Sequence, residues 1–109
     1  MIIDFEKLEQ KKIESFKGGE KEFLVSMYSD DNIKIMEGFL ELGASIGYHK
    51  HETNSEIIFL LEGEGKVLFD DDEEKLMVGQ SHYCPKGHSH SLINTGSEKL
   101  HFYAVVPEQ

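Results

Sequence analysis

Arginine is absent from this chain. All 11 basic residues are lysine, and 21 acids leave a formal net charge of −10. A nucleic-acid partner is not expected on that balance, because phosphate contacts need a basic patch. An anionic membrane surface is an equally poor partner. The absence also removes the usual bidentate clamp for carboxylates and phosphates. Cysteine is nearly absent too. Cys84 stands alone, which excludes an intramolecular disulfide framework and fits a reducing compartment. No stretch approaches the ~20 apolar residues of a membrane span. The opening residues, Met1-Ile-Ile-Asp-Phe-Glu-Lys, lack a basic region followed by an apolar run, so no secretory signal is read there and a cytoplasmic location is expected. Proline occurs twice and glycine ten times in 109 residues.

That length suits one domain with one core. Burial at this size is modest, so oligomerisation would help. Short apolar runs alternate with turn residues, which reads as all-β. Residues 1–22 are charged and weakly patterned; Phe5, Leu8 and Ile13 suit a short helix, a docked arm or an edge segment. Gly18-Gly19 is a turn signal before the first clear strand. Strands are predicted over 23–28, 33–42, a segment containing His49 and His51, 56–61, 66–69, 75–78, 81–84, 89–93 and 99–106. Together they make residues 23–109 a single β-barrel or sandwich domain. The acidic stretch 70–74 reads as a solvated hairpin tip; it lacks the spacing of an EF-hand calcium loop. Alternation puts His49 and His51 on one face. It also puts Ile58 and Leu60 beside Glu56, leaving Ile57, Phe59 and Leu61 on the opposite face. A strand apolar on both faces asks for a second layer. The N-terminal arm or a partner chain would supply it, so a homodimer is expected.

Two glycine-bracketed blocks carry the chemistry. The first runs from Gly43 through His49, His51 and Glu56 to Gly63. The second runs from Gly79 through Pro85, Gly87 and His90 to Asn94. Two histidines at i and i+2 present two imidazoles to one point. A carboxylate from the next strand and an imidazole from a distant one join them only if the sheet curls. Such an N3O set without thiolate suits Mn, Fe, Co, Ni or Zn. Glycine permits the tight reversals at either end, and Asn94 can fix a turn through side-chain-to-backbone hydrogen bonds.

These blocks read G-x5-H-x-H-x4-E-x6-G and G-x5-P-x-G-x2-H-x3-N, separated by the 15 residues Glu64 to Val78. They resemble the two motifs of the cupin superfamily, with all ten fixed positions in order. The spacing between them is similar to that of compact single-domain microbial members. The resemblance implies a double-stranded β-helix jelly roll with a divalent transition metal inside the barrel. It also implies that His49, His51, Glu56 and His90 are the ligands.

The remaining candidates are less defined. His88 reads as an exposed loop histidine, with a rim position touching substrate as the alternative. His82 and Cys84 share a face that alternation alone does not identify; Cys84 reads as a core filler rather than a nucleophile. His101 and Tyr103 share a face of the last strand and are substrate contacts if that face is inward. Three functions fit the site: a dioxygenase-type enzyme, which is the first expectation; a metal-assisted isomerase or lyase on a small polyhydroxy compound; and a non-catalytic metabolite-binding module. In the second, His101, Tyr103 or Glu56 would serve as general base. Cupin oxalate decarboxylases are similar at this site but rely on an arginine, so oxalate decarboxylation is not expected. A neutral or apolar small-molecule ligand is favoured over an anion, although a lysine could still anchor one.

Overall fold

The computed structural model describes all 109 residues. Ten strands form two antiparallel sheets that close face to face. They are β1 (Lys11–Glu14), β2 (Glu22–Ser29), β3 (Ile33–Leu40), β4 (Ser45–Lys50), β5 (Glu56–Glu62), β6 (Glu64–Phe69), β7 (Asp72–Met77), β8 (Ser81–Cys84), β9 (Ser89–Asn94) and β10 (Leu100–Pro107). The six-stranded sheet has the order β1-β2-β3-β10-β5-β8, and the four-stranded sheet β4-β9-β6-β7. This is the expected jelly roll.

Period-two burial builds the core. Phe102, Ala104 and Val106 of β10 point inward with Ile58 and Leu60 of β5 and Phe23 and Val25 of β2. Val67, Leu76, Leu92 and Ile46 meet them from the four-stranded sheet. Phe23 and Phe102 stack with ring centroids 5.9 Å apart and planes 7° apart. Gly38 of β3 makes that stack possible, because a Cβ there would lie 2.5 Å from the Phe102 ring and 2.7 Å from that of Phe23.

Several boundaries differ from the sequence reading, each for a local reason. The acidic stretch is mostly strand. Pairing runs through Phe69↔Asp72, and Asp70 turns the corner in the left-handed region at φ 51°. The carboxylates of β7 therefore line an exposed edge, where charge discourages strand-to-strand association. His51 lies just beyond β4. Its backbone is nevertheless tied to the loop before His90: His51 N–H donates to His88 O at 3.0 Å, and Gly87 N–H to His51 O at 2.7 Å. The N-terminal segment contributes β1 as an edge strand on β2 and a tight turn over Phe16–Gly18.

The outer face of β5 is only partly covered. Phe5 stacks on Tyr103 at 5.4 Å, and Tyr103 pairs across with Phe59. Phe59 and Tyr103 remain 42% and 38% exposed, and Tyr83 on the neighbouring strand 55%. The arm is thus an incomplete second layer. No helix is long and apolar enough to cross a membrane.

The Phe23–Gly38–Phe102 contact has little slack. Phe102→Ala should cost about 3–5 kcal/mol and Gly38→Ala about 1–3 kcal/mol in denaturant unfolding. A Gly38→Ala protein as stable as the parent would show that the two rings can part.

Candidate metal centre

The jelly roll brings the four motif residues together. His49 on β4 pairs directly with His90 on β9, and Glu56 enters from the start of β5 in the facing sheet. One donor atom from each of His49, His51, Glu56 and His90 lies within 4.8 Å of the others. Glu56 Oε1 is 3.2 Å from His51 Nε2 and 2.9 Å from His90 Nε2. The two imidazole nitrogens are 2.9 Å apart.

The far nitrogen of each ring determines what the near one offers. His49 Nδ1 sits 2.7 Å from Gly47 O, and a carbonyl can only accept, so Nδ1 carries the proton. His51 Nδ1 meets Asn54 Oδ1; Asn54 is oriented by donating its Nδ2 to Glu108 at 3.1 Å. His90 Nδ1 meets His82 Nε2 at 2.9 Å. With protons on all three Nδ1 atoms, the three Nε2 lone pairs and one carboxylate point at a common centre. Such a set contains acceptors only. Two lone pairs 2.9 Å apart repel unless a proton or a cation lies between them. Ligand bonds of about 2.0–2.2 Å put neighbouring donors of an octahedral ion about 3 Å apart, which the Glu56–His51–His90 triangle matches. The cluster can therefore hold a divalent metal, and the N3O set suits the transition metals Mn, Fe, Ni, Co or Zn.

Electrostatics follow the same arrangement. In the metal-free protein, protons at the centre take the place of a cation: burial pushes the Glu56 carboxyl upward, but hydrogen bonds and charge from His51 and His90 outweigh it and bring it down to about 2. The hydrogen bond to Glu56 holds His51 above the ordinary imidazole value, against the effect of burial. Burial lowers His49. It also lowers His82, to about 4, with His90 adding to the effect. His82 thus stays neutral at pH 7, as an acceptor for His90 Nδ1–H must.

A cavity of about 290 Å³ opens beside the cluster. Apolar side chains including Phe16, Phe23 and Ile46 form part of its wall, and Lys17, Lys34 and Lys50 stand around it. Glu52 and Glu56 line it as well, so the wall combines charged residues of both signs with the apolar ones. The three residues considered as possible substrate contacts are elsewhere, and His88 is the exposed loop histidine it was read as. His101 and Tyr103 alternate with buried Phe102 and so face outward; His101 lies between Glu37 at 2.9 Å and Glu62 at 3.1 Å. His88 is on the surface, paired with Asp70 at 2.6 Å and stacked on Phe69. None of the three lines the cavity.

His82 and Cys84 both face inward. Cys84 is fully buried, and burial, with Glu56 and Asp70 adding to it, pushes its thiol up to about 12. It is a core filler without thiolate character. Asn94 anchors its turn as expected. Its Nδ2 donates to Leu40 O, Glu41 O and Glu98 O, and its Oδ1 accepts from Gly96 N–H. Sequence reasoning missed Asn54 as the partner of His51 and the placement of Lys17 on the cavity wall. It left His82 undecided, although the pairing Glu56↔Cys84 would have assigned its face once the partner strand was known.

His82 gives the metal-free protein an acid-sensitive limb. Its folded pKa lies below the ordinary 6.5, so its contribution is complete above pH 6.5 and falls away towards pH 4. The loss is about 3 kcal/mol. Glu56, also depressed, adds a second loss from pH 4.5 downward. Thermal unfolding between pH 4 and 7 should show the first limb, and His82→Gln, which cannot titrate, should flatten it. An unchanged slope in that variant would assign the limb to other groups.

The comparisons with known proteins agree with this geometry. A curated relative, the oxalate-binding protein of Thermotoga maritima, is 30% identical over 97% of this chain and 93% of its own length. The crystal structure of a predicted oxalate decarboxylase from the same organism superposes with a TM-score of 0.93 at 27% identity, covering 100% of both chains. The cupin domain of Schizosaccharomyces pombe Cnp3 shares the fold at a TM-score of 0.82 and 12% identity, covering 100% of this chain and 74% of that one. The family model described as the cupin domain matches residues 38–106, well over half the chain and both glycine-bracketed blocks, and on that match this protein belongs to the cupin family.

Proposed function

We propose that this cupin binds a divalent transition metal through His49, His51, Glu56 and His90, and uses it to hold a small carboxylate anion of the oxalate class. The carrying observation is the lining of the cavity. His49, His51 and Glu56 of the acceptor-only cluster line it, and Lys17, Lys34 and Lys50 outnumber Glu52 among the other charged lining residues, in a chain otherwise dominated by acids. The volume of about 290 Å³ lies at the small end for ligand sites and suits a molecule of few atoms. The similarity to an oxalate-binding protein supports the same ligand class.

A bound divalent ion supplies a Lewis-acid centre and, as Fe or Mn, a redox centre. The chain's own residues orient and desolvate what lies next to it. The isomerase or lyase reading is weakened by position, because His101 and Tyr103 face away and Glu56 belongs to the ligand set. The dioxygenase reading keeps its original support, since four protein ligands leave two positions of an octahedral ion. We therefore rank binding first and oxygen chemistry second. We also propose a homodimer formed through the outer face of β5, β8 and β10, where Phe59, Tyr83 and Tyr103 remain exposed. The buried free thiol of Cys84 is consistent with a cytoplasmic setting.

Calorimetric titration of the metal-free protein with Mn²⁺, Fe²⁺, Co²⁺, Ni²⁺ and Zn²⁺ should give one ion per chain. His51→Ala should abolish stoichiometric uptake while the circular dichroism of the β fold persists; full occupancy in that variant would refute the ligand set. Oxalate should bind the metal-loaded protein and not the metal-free one. Dissolved-oxygen monitoring over the same titration separates the two readings, since a binding module consumes none. Light scattering should return a dimer mass that Phe59→Glu reduces to that of the monomer. A monomeric parent protein would eliminate the interface.

A further inference from the structure

The turn between β1 and β2 is built at unusual conformational cost. Ser15, Lys17 and Lys21 all have positive φ, at 51°, 56° and 59°, and none is glycine. Residues of this kind are held there only when their surroundings over-determine them, and such positions concentrate at ligand sites. The surroundings here are β4. Gly19 and Gly47 sit back to back with the opposing backbone: a Cβ on Gly19 would lie 2.1 Å from Ser45 O, and one on Gly47 1.9 Å from Lys17 O. Ser45 N–H donates to Glu20 O at 3.0 Å, and Glu20 N–H donates to Ser45 Oγ at 2.9 Å. Ser15 N–H donates to Lys21 O at 2.8 Å, and Lys21 Nζ donates to Leu42 O at 2.8 Å. The turn is thus clamped, through two glycines, to the strand that carries His49.

The clamp places two side chains on the cavity. Phe16 lines it and packs on Phe23 at 5.2 Å. Lys17 lines it beside His49 and His51, with its ammonium 5.6 Å from the Phe16 ring centroid. Lys34 and Lys50 also line it, but Lys17 is the lysine whose backbone is fixed by the clamp, at positive φ and packed against Gly47. It is solvent-exposed and makes no ion pair. Its cation is therefore available to a ligand entering the site.

We infer that Lys17 is a specificity-determining residue, an ammonium held by the N-terminal turn at the mouth of the metal cavity to select dianionic over monoanionic small carboxylates. This rests on the carboxylate reading above and sharpens it. One carboxylate group of the ligand faces the metal cluster, and the second, which a monoanion lacks, meets Lys17. A lysine on a strained turn takes the part of the arginine that the composition withholds. A point charge selects by charge rather than by bidentate geometry, so the site discriminates between ligands of similar size and different valence.

The test titrates oxalate and glycolate, as dianion and monoanion, into metal-loaded wild type, Lys17→Gln, Lys17→Arg and Lys34→Gln, with metal affinity measured on each. Lys17→Gln should weaken oxalate about tenfold or more and leave glycolate and metal affinity unchanged. Lys17→Arg should restore most of the loss, and Lys34→Gln should have the smaller effect. If Lys17→Gln fails to fold, Lys17→Gly, which accepts positive φ, replaces it with the same expected loss. Oxalate affinity unchanged in the folded Gln or Gly variant overturns the inference and leaves the carboxylate reading intact. Equal losses for oxalate and glycolate, or failure of Lys17→Arg to rescue, also overturn it, because they indicate a merely structural turn. A wild type that takes up metal but not oxalate overturns the reading and the inference together.

Discussion

Three imidazoles with their Nδ1 protons turned outward constrain the rest of this molecule. A nitrogen lone pair cannot be directed inward unless the opposite ring nitrogen has somewhere to place its proton. Gly47 O, Asn54 Oδ1 and His82 Nε2 provide those places. Each comes from a different part of the fold: the backbone of β4, the loop before β5, and β8. Moving any one of them would let a ring flip or change tautomer, and the acceptor-only centre would be lost. Partners at this remove are integral to metal sites for the same reason. Here the third is itself a buried histidine kept neutral by its surroundings.

Strand pairing holds those partners in register. His49 lies opposite His90, Glu56 opposite Cys84, and Ile58 opposite His82. A one-residue slip of β5 or β8 would send Glu56 or His82 to the outer face, since side chains alternate with period two. The hydrophobic set Ile58, Leu60, Phe102 and Ala104 shares the inner face with these polar groups. The burial energy that fixes the core register therefore also fixes the site. The backbone exchange between His51 and the Gly87–His88 segment extends the same control beyond the end of β4.

Charge is distributed unevenly over this framework. The acids that dominate the composition lie largely on exposed strands and edges, with Asp72, Glu73 and Glu74 along β7. The outer face of the six-stranded sheet is different again, with aromatic side chains that Phe5 only partly covers. One small domain thus presents a cavity lined by charges of both signs, an acidic edge strand and an apolar flank.

The fold and the four clustered residues were legible because they depend on spacing along the chain. Glycine-bounded short strands, histidines at i and i+2, and a second block closing on Asn94 are local patterns, and local patterns survive in one dimension. His101 and Tyr103 show where that legibility ends. Alternation established that they share a face, but which face depended on β10 lying between β3 and β5 with Phe102 inward. His82 was ambiguous for the same reason. Lys17 was invisible because nothing in the charged N-terminal segment indicates that its turn would be clamped onto β4, 30 residues later. By itself, then, the sequence determined the all-β architecture, the identity of the clustering residues and the absence of any arginine. The tertiary structure alone decided which histidine supports the cluster, which lysines line its cavity and which aromatics stay outside, because those depend on contacts between strands far apart in the chain.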